Sequence, residues 1–144
     1  MSIKQISVFL ENKPGELSGM TSLLAEKCID IRALSLAETA DFGIARLILK
    51  DVRKAAAVLS EADFVANCSE VLAFAVPDEP GGLNNLLNVF NDANVNIEYM
   101  YAFLDAEDKD NAYMIFKVTD TENAEKALIA KGLKPLSQED IDKI

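Results

Sequence analysis

With 144 residues, half of them hydrophobic, the chain is long enough for one ordinary domain or two small ones and should build a packed core rather than remain disordered. Its 14 basic residues against 24 acidic ones give a net charge of −10 scattered along the sequence, which reads as a solvated surface and argues against nucleic acid, whose phosphates demand a basic face. The complete lack of histidine removes the commonest general base and the commonest metal ligand.

The N-terminus, MSIKQISVFLENKPG, carries no long apolar run behind a basic start, and no stretch approaches the roughly 18 apolar residues of a membrane span. The expectation is a cytoplasmic protein with no membrane contact. Its first strand is marked by alternation of Ile6, Val8 and Leu10. The turn Asn12-Lys13-Pro14-Gly15-Glu16-Leu17 follows, and Leu17, Met20, Thr21 and Leu24 then fall at helical spacing. Cys28 lies beyond, in apolar surroundings. It and Cys68 are expected to be buried small hydrophobes in a reducing compartment, not a disulfide. An apolar strand runs from Ile31 to Leu36, and a third alternates through Ala45, Leu47 and Leu49. Asp51 ends it. A second helix then shows Ala55, Val58, Leu59 and Ala62 on one face, and a short fourth strand is predicted near Phe64 to Asn67.

The same order then begins again. Pro14, Gly15, Leu17 and Ile31 recur 66 positions later as Pro80, Gly81, Leu83 and Ile97. After a three-residue insertion the offset becomes 69, and Asp51, Ala55 and Leu59 recur as Asp120, Ala124 and Leu128. Leu72, Phe74 and Val76 repeat the first strand; Leu83, Leu86, Leu87 and Phe90 the first helix; Ile97 to Phe103 the second strand; Met114, Phe116 and Val118 the third. Ala124, Ala127 and Leu128 repeat the second helix, and Leu133 to Leu136 the fourth strand. A repeat of this length is a structural unit. Each unit reads β-α-β-β-α-β, the ferredoxin-like plan. The fold class is therefore α+β: two tandem units, residues 1–70 and 71–144, each an antiparallel sheet with its helices on one face. Neither unit is large enough to be secure alone, and no flexible linker separates them, so they should lean on each other rigidly. Phe9, Ile48 and Tyr99 fall on the parity opposite the core and should face the other repeat or another chain, which makes a homodimer plausible. The tail from Ser137 should be a short helix capped by Ser137, with Asp140 in its first turn.

The chemistry concentrates in the repeated Pro-Gly loop. Gly15 and Gly81 allow close backbone approach, and a helix start leaves N–H groups free for a carboxylate or phosphate. Two residues before each proline, Asn12 and Asp78 carry oxygens that accept from an ammonium group. Donors on one side and acceptors on the other suit a zwitterion, the chemistry of a free amino acid. The acidic run 105–111 lacks the central glycine and closing glutamate of a calcium loop and reads as a solvated hairpin. No P-loop, nucleophile elbow or zinc pattern is present.

The N-x-P-G-x-L loop on a doubled β-α-β-β-α-β unit resembles the ACT domain family over nearly the whole chain. The resemblance implies small-molecule sensing, most often of amino acids, with the ligand at the seam between one unit's loop and the neighbour's second strand. Carried over, one set of ligand-binding residues is Asn12, Lys13, Pro14, Gly15, Glu16 and Leu17. The other is Asp78, Glu79, Pro80, Gly81, Gly82 and Leu83. The second-strand positions are Asp30 and Ile31, and Asn96 and Ile97. The loops differ in charge, so the two sites are not expected to be equivalent. The carboxylates Glu16, Asp30, Asp78 and Glu79 favour a ligand with a polar or basic side chain, such as histidine, lysine or arginine. The leading expectation is a non-enzymatic, cofactor-free sensor acting on a metabolic enzyme in trans. The alternatives are a small enzyme with its active site at the seam, and a ligand-free interaction module. Gly81→Val is expected to crowd the second loop and abolish binding there with little loss of fold.

Overall fold

The computed structural model describes residues 2–103, 105 and 107–144. Leu104 and Ala106, which flank and fall within the acidic run, lie outside the described residues. The chain divides into two compact units, Lys4–Ser69 and Glu70–Ile144, with Ile3 grouped with the second.

The first unit contains β1 (Ile3–Glu11), α1 (Glu16–Glu26), β2 (Ile31–Glu38), β3 (Phe42–Leu49) and α2 (Val52–Glu61). Its sheet runs β2-β3-β1 with antiparallel pairing throughout. The period-2 pattern does what it predicts. Ile6, Val8 and Leu10 of β1 and Ala45 and Leu47 of β3 point to one face, where Met20 and Leu24 of α1 and Ala55, Val58 and Leu59 of α2 close over them. Both helices therefore cover the same face. Each fully buried side chain of this size is worth about 1.5–3 kcal/mol relative to exposure. Ala62, placed on that helical face by sequence, is instead the exposed C-terminal cap of α2.

The second unit repeats the plan with the strand β4 (Val65–Pro77), α3 (Gly82–Asp92), β5 (Ile97–Phe103), β6 (Asn111–Val118), α4 (Thr121–Ala130) and a terminal α5 (Gln138–Lys143). Its sheet order is β5-β6-β4. The core is more aromatic: Phe74, Phe90 and Phe116 meet with ring centroids 4.8–6.1 Å apart. Leu83, counted in the apolar stripe of this helix, is 36% exposed, because the helix starts only one residue earlier and its first turn stands clear of the sheet.

The fourth strands depart from expectation. The strand predicted near Phe64 to Asn67 does not end; from Val65 it runs on through Pro77 as β4, since no turn residue interrupts it. The strand predicted near Leu133 to Leu136 does not form as a strand. The Leu133 N–H donates back to the Leu128 carbonyl at 3.1 Å and the Leu136 N–H to the Ala73 carbonyl at 2.8 Å, and Pro135 between them has no N–H to give. Of the three apolar residues on the opposite parity, Phe9 is 42% exposed, Tyr99 is half-buried and Ile48 is fully buried.

Both cysteines are exposed, contrary to expectation. Cys28 occupies the left-handed position after α1, at φ 55°. The Cys28 N–H donates to Ala25 and the Ile29 N–H to Leu24, which closes the helix and turns the thiol outward. Asn94 does the same for α3 at φ 54°. A β-carbon in this region costs about 1–2 kcal/mol. Cys28→Gly is accordingly expected to raise stability by about 0.5–1 kcal/mol, read as an upward shift of the thermal midpoint.

Asp51 and Asp120 do more than end strands: each is the N-cap of the following helix, accepting from the N–H of Lys54 at 3.0 Å and Asn123 at 3.2 Å. Ser137 and Asp140 form a reciprocal capping box at α5. Hydrogen bonds from the Asn123 side chain and backbone hold Asp120 below the usual carboxylate range, and bonds from the Ser137 backbone and hydroxyl do the same for Asp140. A depressed folded-state pKa contributes stability that is present above the unfolded value, near 3.9, and lost as pH falls through the folded one. The urea midpoint should therefore fall as pH drops below about 4, and the fall should be shallower in Asp120→Asn.

Candidate ligand-binding site

Each Pro-Gly loop leaves its strand, turns at the proline, and enters a helix through a left-handed glycine, Gly15 at φ 92° and Gly81 at φ 89°. This geometry demands glycine for its backbone, not for space. A β-carbon at either position would meet nothing within 4 Å. The expected crowding by Gly81→Val is therefore corrected: the harm from valine there is a strained left-handed backbone, which a β-branched residue resists most. The close approach lies one residue on. A β-carbon at Gly82 would come within 2.2 Å of the Pro77 carbonyl oxygen. The first copy has Glu16 at that place, so the two loops enter their helices differently. The Gly82 N–H reaches the Glu79 carbonyl at 3.0 Å, while the Glu16 N–H reaches Lys13 at only 3.5 Å.

Neither helix start has a side-chain cap. The N–H groups of Leu17 and Ser18 in α1, and of Leu83 and Asn84 in α3, find no partner among the described residues. These are the donors available to an anion.

The first loop is closed on itself. Asn12 Nδ2 donates to Glu38 Oε2 at 3.0 Å, and the Asn12 N–H to the Asp41 carbonyl. Lys13 pairs with Glu11 at 2.7 Å and Glu16 at 3.6 Å, and Glu11 beside it pushes the Lys13 ammonium above its ordinary value. Asn12, Lys13, Glu16 and Leu17 do share a cleft, with Leu36 and Glu38 across it, but its volume is only about 100 Å³. Pro14 and Gly15 are exposed and do not line it.

The second loop is open. The Asp78 N–H donates to the Asp110 carbonyl, but the Asp78 carboxylate has no partner among the described residues. Beside the loop lies an apolar cleft of about 250 Å³, formed by Val76, Pro77, Gly82, Leu86, Val89 and Leu133. Asp78, Glu79, Pro80, Gly81 and Leu83 are exposed around its entrance strand and helix, and only Gly82 of the predicted set lines it.

The second-strand residues lie elsewhere. Glu38 at the end of β2 pairs with Gly43, which pairs with Leu10, and so stands beside the first loop. Asp30 and Ile31 precede and begin β2, where Ile31 pairs with Leu49. They are therefore a whole strand away, roughly 23 Å at 3.3 Å per residue over eight residues. Asp30 is held there by Arg32 at 3.2 Å. Asn96 and Ile97 are equally remote from Asp78 to Leu83, since Ile97 pairs with Val118 and Pro77 with Asn111. Within one unit, loop and second-strand start cannot meet. Sequence reasoning missed Glu38, whose only signal was a carboxylate at the end of an apolar strand. It also missed Val89, which lay outside the predicted helical stripe, and Leu133, which the strand pattern had assigned to packing.

The acidic run is held by Asp108. Its carboxylate accepts from Asn111 and from Tyr113 Oη at 2.8 Å, bonds that lower the Asp108 pKa and push the Tyr113 phenol up to about 12. Among the described residues no helix is long and apolar enough to cross a membrane.

No curated protein sequence matches the chain. Among solved structures, it is similar to protein BT0572 from Bacteroides thetaiotaomicron, at 35% identity and a TM-score of 0.91 over 100% of this chain and 98% of that one. The ligand-free regulatory subunit of aspartate kinase from Thermus thermophilus shares the fold, at 18% identity and a TM-score of 0.63 over 90% of both chains. Aspartate kinase from Synechocystis does so at 22% identity and a TM-score of 0.58, over 93% of this chain and 26% of that one. The family model for an ACT domain pair matches residues 1–144. With the repeated ferredoxin-like unit and the twice-used glycine entry into a helix, this places the chain in the ACT domain pair family.

Proposed function

We propose that this ACT domain pair is a non-enzymatic regulatory module that binds a free amino acid at its second Pro-Gly loop. The observation that carries the reading is the contrast between the loops. The first spends its polar side chains internally and leaves about 100 Å³ between Asn12, Leu36 and Glu38, while a second cleft of about 400 Å³ is lined from that loop by Glu16 alone, together with Phe9, Phe42 and Phe64. Both helix starts leave two N–H groups without a partner among the described residues, but the second loop adds a carboxylate unpartnered among those residues and an apolar cleft of about 250 Å³. In this reading the ligand carboxylate takes the Leu83 and Asn84 N–H groups, Asp78 receives the ammonium group, and the aliphatic part of the side chain enters the cleft beside Leu86 and Val89. The surrounding acids favour a polar or basic side-chain end, as in lysine, arginine or histidine. The remote positions Asp30 and Asn96 would act on the ligand of another ACT unit, and association as a homodimer would supply further units. Regulation of a cytoplasmic metabolic enzyme in trans follows if ligand binding favours one state of the module over another.

Thermal melts against each common amino acid test this. A ligand at about 100 times its dissociation constant adds roughly 2.7 kcal/mol and shifts the midpoint by several degrees. Asp78→Asn removes one charge-assisted bond and should weaken binding by about tenfold or more, while Asn12→Ala should leave it unchanged. No shift with any amino acid, or an equal response of both variants, would refute the assignment to the second loop.

A further inference from the structure

The two units differ sharply where their first helix ends and their second begins. In the first unit Lys54, in the first turn of α2, stretches to the end of α1, and its Nζ donates to the Lys27 carbonyl at 2.6 Å. A helix C-terminus presents unpaired carbonyls and partial negative charge, so an ammonium group is well placed there.

The second unit repeats the backbone of this place. The Lys50 N–H donates to the Asp30 carbonyl, and at the matching positions the Thr119 N–H donates to Asn96. Cys28 and Asn94 share the same left-handed turn, and Asp51 and Asp120 cap the same helix. The side chains are not repeated. Lys54, Ile29 and Val58 become Asn123, Val95 and Ala127, each smaller. Asn123 does not cross to Ala93, the counterpart of Lys27. Its Nδ2 donates to Asp120 Oδ2 at 2.6 Å instead. What remains is a cleft of about 410 Å³, within the range of small-molecule sites. Val95, Ala124 and Ala127 give it an apolar side, and Asn96, Thr119 and Asp120 a polar one.

We propose that this cleft binds the primary ammonium end of a small alkylamine, seated on the Ala93 carbonyl as the Lys54 ammonium is seated on Lys27. The Ala93 carbonyl accepts one N–H, and no described side chain now takes that place. Asp120 supplies the opposite charge at the rim. Asn96, whose Nδ2 already donates to Thr119 Oγ1 at 3.1 Å, turns its carbonyl oxygen to a second N–H. The alkyl chain covers Val95, Ala124 and Ala127 as a substitute for the missing lysine stem. The site lies a full strand from the second Pro-Gly loop and does not rest on the amino-acid reading of that loop.

Titration of the full chain with n-butylammonium chloride, followed by amide chemical shifts, tests the proposal, with n-butanol as the uncharged control. Saturable shifts are expected at Ala93, Asn94 and Thr119, with a dissociation constant on the order of 1 mM, as suits so small a ligand. Butanol should give none. Asn123→Lys rebuilds the first unit's arrangement and should abolish the shifts while the melt is no lower than wild type. Lys54→Asn combined with Ile29→Val and Val58→Ala gives the first unit the second unit's three shortened side chains and should add a second set at Lys27 and Lys50. Asp78→Asn should leave the shifts at Ala93, Asn94 and Thr119 as they are. Equal shifts with butanol, no saturation, or undiminished binding in Asn123→Lys would each overturn the proposal. Should Asn123→Lys fold poorly, the gain or lack of a second set in the triple first-unit variant still decides it.

Discussion

Phe116→Ala is expected to be the most damaging single truncation in the second unit, at about 3–5 kcal/mol. Phe116 is fully buried, and its ring lies 4.8 Å from that of Phe90 and 6.1 Å from that of Phe74. The loss combines the transfer energy of the ring, the cavity it leaves, and the aromatic pair terms, worth about 0.5–1.5 kcal/mol each. Phe9, 42% exposed on the opposite parity in the first unit, is the control: its replacement by alanine should cost within about 0.5 kcal/mol. Urea unfolding of the two variants checks this. If they lose similar amounts, Phe116 is not at the centre of the core, or Phe9 is covered by something.

Gly82→Ala should rank next, at about 3 kcal/mol, or a fall in the melting midpoint of roughly 6–12 °C for a chain of this size. The added β-carbon would lie 2.2 Å from the Pro77 carbonyl oxygen, a backbone atom in β4 that cannot turn aside as a side-chain end can. The gain in helix propensity, at most about 1 kcal/mol, is too small to offset this. Gly81→Ala meets no atom and costs only the left-handed backbone, about 1–2 kcal/mol. The order Gly82 worse than Gly81 is the checkable result. An alanine at position 82 that melts with the wild type would mean that the second loop does not run this close to its strand. Because the same movement displaces the helix start, Gly82→Ala should also weaken the amino-acid binding proposed above by more than its stability loss explains.

Much of the fold was legible because its signals are local. Alternation at Ile6, Val8 and Leu10 and its recurrence at Leu72, Phe74 and Val76 required only that one face of each strand be buried. The cap at Ser137 was equally legible, since a hydroxyl before a helix with an acid three residues on satisfies the first N–H groups from within the segment. Cys28 was misread for the opposite reason. Apolar residues lie on either side in Leu23, Leu24 and Ile29, but the reversal of the chain after α1 decides which way it points, and that reversal is a backbone property without a glycine to announce it. The fourth strands were misplaced because no turn residue marks a break between Val65 and Pro77, and because the apolar residues Leu133 and Leu136 flank Pro135, which has no N–H for a ladder.

The sequence by itself determined the repeat, the ferredoxin-like order of each unit, the glycine entry into each helix, and the difference in charge between the loops. These depend on side-chain periodicity and on backbone freedom, which neighbours in the chain express. Only the tertiary structure decided that Asn12 is already bonded to Glu38, that the Asp78 carboxylate has no partner among the described residues, and that Asp30 and Asn96 stand a strand's length from their own loops. Those facts depend on strand register and on which remote side chain reaches a given donor. The same holds for Lys54 and Asn123: three shortened side chains, two on α4 and one before β5, leave a cleft only because the fold brings the two segments to one place.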